Sequence, residues 1–121
     1  MLSDKQRNLL LDIAYAGCHK GLVSEARAVC AGVLAAWPGF APALIGLALS
    51  HVVIGERAVA ERILKEDVLA KNPEDADARA VLGLTALLDG RPDEAEVLFK
   101  PLAAGETSAS GLARELLARL N

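Results

Sequence analysis

Aromatic side chains are scarce in this chain: Tyr15, Trp37, Phe40 and Phe99 are the whole complement, 3% of 121 residues. Hydrophobic residues nevertheless make up 53%, so the core has to be filled by Ala, Leu and Val. That composition suits closely packed helices. Cysteine is sparse as well. Cys18 and Cys30 cannot form a dense disulfide framework, which argues against a small secreted scaffold and makes a reducing cytoplasm the expected compartment. Neither sign of charge dominates, since 13 Lys and Arg stand against 16 Asp and Glu for a net charge of −3. With a pI near 5.3, there is no electrostatic reason to expect nucleic acid or an acidic membrane surface as ligand.

Charge is missing altogether from residues 28–55. Trp37-Pro38-Gly39-Phe40-Ala41-Pro42 breaks this stretch into halves too short for a bilayer core, which needs ~20 continuous apolar residues. It reads as two buried helices and their turn, packed by neighbours on both sides. Tyr15-Ala16-Gly17-Cys18 loosely imitates a lipid-attachment site, but Asp12 interrupts the apolar run before it.

Catalytic patterns are absent too. There is no glycine-rich phosphate loop, and the two histidines, His19 and His51, have no partner at metal-ligand spacing. Cys18 and His19 are adjacent on a helix and point in different directions, so they do not form a nucleophile and base. Glu74-Asp75 and Asp93-Glu94 fall in first turns, where negative charge favours a helix N-terminus. No enzyme, cofactor or metal is expected.

What is present is a repeat. Ala14, Ala48 and Gly83 form one column of small residues, Gly21, Gly55 and Gly90 a second, and Ala26, Ala60 and Ala95 a third, at offsets of 34 and then 35 residues. Cys30, Leu64 and Phe99 make a larger apolar column, and Pro38 matches Pro73. The extra residue behind the change of offset falls in the Lys65-Glu66-Asp67 region.

Helix signals follow the repeat. Ser3 and Gln6 stand in capping-box spacing before a first helix of about residues 4–20, ended by Gly21. A second runs to Trp37-Pro38, since a residue before proline leaves the helical region. Pro42 opens the third, which closes at Gly55, and the fourth ends before Asn72-Pro73. Asp75 starts the fifth, Gly90 closes it, and Pro92 opens the sixth. In residues 108–120, Leu112, Leu116, Leu117 and Leu120 recur at helical spacing, which makes an amphipathic seventh helix and a natural solvating cap.

A repeat of about 34 residues with a small residue, a turn glycine seven on and an alanine five further resembles the tetratricopeptide family, two antiparallel helices per repeat. The resemblance covers about residues 7–107 and implies an all-α, right-handed solenoid of one domain, with repeats at about 7–40, 41–75 and 76–107 and the cap after them. Two departures stand out: the large aromatics of the family are mostly replaced by Leu and Ala, and Arg79 takes a position that is usually bulky and apolar.

The family's first helices line a concave groove. Carried over to this sequence, the groove positions are Asn8, Leu11, Tyr15, Cys18 and His19, then Ile45, Leu49, Val52 and Val53, then Asp77, Ala80, Leu84, Leu87 and Leu88. Members that hold the acidic tails of heat-shock chaperones need Lys and Asn there; Leu11, Tyr15 and Ala80 stand in their place, and a carboxylate needs charged donors. An apolar groove needs a cover. The resemblance therefore implies a non-catalytic module that binds a partner's amphipathic helix, with self-burial by the C-terminal helix or a homodimer as the alternative. In size and organisation the chain looks like the small tetratricopeptide chaperones of bacterial type III secretion, most of all the class that holds the needle subunit beside a second small chaperone.

Overall fold

The computed structural model describes residues 3–107 and 109–120, so Ser108, first residue of the expected cap, lies outside the described residues. Seven α-helices follow one another: α1 (Asp4–His19), α2 (Val23–Ala36), α3 (Ala41–Val53), α4 (Arg57–Arg62), α5 (Ala76–Leu88), α6 (Pro92–Ala104) and α7 (Ser110–Leu120). A π-helical segment, Ile63–Leu69, continues α4. Among the described residues there is no strand, and no helix is long and apolar enough to cross a membrane.

Local chemistry explains the helix ends. Ser3 and Gln6 form the capping box, each side chain bonding the other's backbone N–H, at 3.1 and 2.9 Å. Asp75 caps α5 by accepting from the Ala78 N–H at 3.0 Å. The turns after α1, α3 and α5 share one construction. Gly21, Gly55 and Gly90 have φ of +81°, +85° and +75°, a region that glycine enters without a Cβ penalty. The next residue then donates back across the turn: Leu22 to the Gly17 carbonyl at 2.7 Å, Glu56 to His51 at 2.8 Å and Arg91 to Ala86 at 2.9 Å. These are Schellman closures.

Packing is nearest-neighbour, as in a solenoid. Each helix lies on the next, α1 also packs on α3 and α3 on α5. The first helices of the repeats thus form one layer and the second helices another. Ala14, Ala26, Ala48, Ala60 and Ala95 are all buried between them, and Gly83 is bare because the Phe99 ring lies against it: a Cβ there would sit 2.5 Å from Phe99 Cε1. Between Ala43 and Val52 the central helix α3 has only buried and half-buried residues, which accounts for its lack of charge. Three apolar clusters, one per repeat, make a continuous core.

The π-helical segment falls where the offset changes from 34 to 35. Ala70 donates to the carbonyl of Lys65, five residues back, at 3.0 Å. A single inserted residue has been taken up as a π turn with the flanking register kept.

Polar side chains stitch one repeat to the next. Arg27 on α2 donates to Ser50 Oγ at 2.9 Å and to Glu56 Oε1 at 3.0 Å, and His51 Nδ1 donates to the same carboxylate oxygen at 2.9 Å. One repeat later, Arg91 bonds Glu61 on α4, with Asp89 and Glu94 beside it. Arg79, the misfit in the family pattern, is half-buried and donates through Nε to the Pro73 carbonyl at 2.7 Å.

Candidate protein-binding groove

The layer of first helices carries an open hollow of about 350 Å³ lined by Tyr15 of α1, Ile45 and Leu49 of α3, Asp77, Ala80 and Val81 of α5, and Ala109 and Leu112 at the start of α7. Its floor comes from the α1–α3–α5 layer, and α7 supplies the remaining wall. That helix packs on α6 and buries Ala113. Arg114 ties the same junction by donating to the carbonyls of Ala103 at 2.9 Å and Gly105 at 2.8 Å, acceptors that the end of α6 leaves open. The C-terminal helix therefore caps the array and borders the groove without filling it.

Tyr15 is anchored by its neighbours. Its hydroxyl donates to the Pro42 carbonyl, and its ring lies against Gly46, where a Cβ would come within 2.7 Å of Tyr15 Cε1 and 3.0 Å of Cys30 Sγ. Burial, then the charges of Cys30, Asp77, Asp12 and Asp75, push the phenol above its ordinary value. It remains a neutral donor with its ring edge in the hollow.

Of the fourteen groove positions expected from the family, Asn8 lines a separate hollow with Lys5 and Asp12, the His19 side chain lies outside the described residues, and the other twelve divide into three groups. Tyr15, Ile45 and Leu49 come together in the hollow, with Asp77 and Ala80 from the same frame; Ile45 and Ala80, 5% and 7% exposed, are also members of the central and third clusters. Leu11 and Cys18, each 3% exposed, pack in the α1–α2 cluster, and Val52, 6% exposed, packs in the central one. These three face the core, because the helices turn those positions toward their second-helix partners. Val53 and Leu88 are exposed near helix ends, Leu84 is half-buried, and Leu87 packs on the third cluster, none of them in the hollow. Val81, Ala109 and Leu112 were not in the frame. Leu112 could have been found from the apolar stripe of the last helix; Ala109 carries no sequence signal.

Burial raises both thiols, Cys30 to about 11 with the charge of Cys18 adding to the effect, so neither is a ready nucleophile near neutral pH. Among the described residues no three His, Cys, Asp or Glu side chains group as a metal site.

Comparison with known proteins settles the family. The family model described as tetratricopeptide repeat matches residues 45–109, more than half of the chain. The chain belongs to the tetratricopeptide repeat family. No curated protein matches it by sequence. The solenoid of this tetratricopeptide protein is similar to two solved structures of the type III secretion translocator chaperone SycD of Yersinia enterocolitica. One superposes with a TM-score of 0.72 at 15% identity, covering 99% of this chain and 84% of that one. The other, an alternative dimer of SycD, gives 0.75 at 16% identity, covering 98% and 91%. At that identity the likeness is one of fold.

Proposed function

We propose that this tetratricopeptide protein is a non-catalytic chaperone whose groove holds the apolar face of a partner's amphipathic helix. The supporting observation is the hollow itself, open to solvent, lined by Tyr15, Leu49, Val81 and Leu112 with the nearly buried Ile45 and Ala80 at its base. A helix laid in such a trough is anchored at i, i+3, i+4 and i+7, and each Leu-sized anchor contributes roughly 1.5–3 kcal/mol before ordering costs. The organisation of the chain and its likeness in fold to SycD favour a cytoplasmic chaperone of a type III secretion subunit. The needle subunit, held alongside a second small chaperone, is the client proposed here.

Co-expression with a small helical secretion subunit tests this. The expected result is a soluble complex that Leu49→Glu abolishes while helix content by circular dichroism is unchanged. A complex indifferent to Leu49→Glu would refute the groove as the binding surface.

A second reading, self-association, is favoured by Leu9 and Ile13, exposed one turn apart on α1. Light scattering of the isolated chain separates the two: a dimer dispersed by Ile13→Glu, with Leu49→Glu harmless, would support it.

A further inference from the structure

The groove is uneven in charge, and that unevenness specifies its ligand further; the inference rests on the helix-binding reading above. Asp77 lines the hollow, and Asp12 lies one turn before Tyr15 on α1. Neither has an ion-pair partner among the described residues. Asp12 shares a separate hollow with Lys5, so Asp77, in the first turn of α5 where negative charge also suits the helix N-terminus, is the carboxylate that lines the groove. Arginines on the helices that border the hollow are engaged elsewhere. Arg7 lies over the Phe40 and Trp37 rings, at 4.0 and 5.1 Å from their centroids. Arg79 is held by the Pro73 carbonyl and Glu74, and Arg114 by the end of α6. The central helix α3 brings no Asp, Glu, Lys or Arg at all.

We infer that the partner is a cationic amphipathic helix, its apolar face on Ile45, Leu49, Ala80 and Val81 and a Lys or Arg at the edge of that face set against Asp77. A charge at the rim of an apolar trough adds little holding energy. It speeds the encounter and rejects helices of the wrong edge charge, because a like charge brought to the same place is repelled. The same arrangement sets this groove apart from one built for acidic tails, which would need cations where Asp77 stands.

Three synthetic amphipathic helices with one common leucine face and Lys, Gln or Glu at the edge positions test the inference against the full chain by fluorescence anisotropy. Affinity should fall in the order Lys, Gln, Glu, with about a fivefold gap between the extremes at low salt that closes as salt screens the pair. Asp77→Asn should narrow the gap and Asp77→Lys should reverse it. Equal affinities for the three peptides, or a gap unchanged in Asp77→Lys, would overturn the charge inference and leave the groove reading intact. Failure of every peptide to bind, or binding untouched by Leu49→Glu, would overturn the groove reading and the inference together.

Discussion

Glu61 on α4 pairs with Arg91 at the N-cap of α6, and the same two repeat positions one interface earlier hold the opposite charges, Arg27 on α2 with Glu56 at the N-cap of α4. Arg27 and Glu61 each follow a column alanine, and Glu56 and Arg91 each follow a turn glycine. Stacking the second repeat on a copy of itself would bring Glu61 against Glu56, which repel. The exchanged charges therefore favour the order in which the repeats stack.

Glu61→Arg should destabilise the fold by about 1 kcal/mol, since the pair is half-buried and networked yet still reached by solvent. Adding Arg91→Glu should recover only part of that loss, because the new carboxylate re-pairs with the arginine introduced on α4 but lies beside Asp89 and Glu94. Urea unfolding of the two singles and the double gives the coupling; a double variant no better than the sum of its singles would remove the pair as a determinant of stacking.

Gly83 and Gly32 should respond in opposite directions to alanine. Both are interior helix positions, where Ala gains roughly 0.5–1 kcal/mol over Gly. Nothing lies within 4 Å of a Cβ on Gly32, while a Cβ on Gly83 enters the ring of Phe99, itself fully buried. Gly32→Ala should raise the unfolding free energy measured in urea, and Gly83→Ala should lower it by an overpacking cost of about 1–3 kcal/mol less the helical gain.

These two glycines show how far the sequence could be read. The column containing Gly83 is visible because close helix approach excludes a side chain at regular intervals, and the turn glycines because only a positive φ closes those turns. The rotation of each first helix is harder to read. In α3 nearly every residue is apolar, so the pattern does not distinguish Leu49, which lines the hollow, from Val52, which packs in the core. Leu11 and Cys18 present the same difficulty on α1. Ala109 joins the groove only through the docking of α7 on α6, a tertiary placement that local patterning does not encode.

Stability should fall at both ends of the pH range for identifiable reasons. Hydrogen bonds from His51 and then Arg27 hold Glu56 below its ordinary 4.5. That contribution is complete above about 4.5 and is lost as pH falls through the folded value, because the unfolded chain takes up the proton first. At the other end, burial lifts Cys30 from 9.0 to about 11, so the unfolded thiol ionises before the folded one and stability declines as pH rises through that window. Urea midpoints against pH should show both limbs. Glu56→Gln should flatten the acid limb alone, and Cys30→Ala should reduce the alkaline one.

Two neighbouring residues of α7 should separate capping from binding. Ala113 is 1% exposed in the third cluster, whereas Leu112 is half-exposed and borders the groove. Ala113→Glu places a charge in a buried apolar cluster, so it should undock α7, uncover Phe99 and Leu102, and lower the urea midpoint of the whole domain. Leu112→Glu points into the open hollow and should leave that midpoint nearly unchanged while weakening capture of an apolar helix by roughly tenfold, the loss of about one anchor contact. If Leu112→Glu unfolded the domain as readily as Ala113→Glu, its side chain would belong to the core; if Ala113→Glu left stability intact, α7 would not be the cap, and the third repeat would have to be closed by something else.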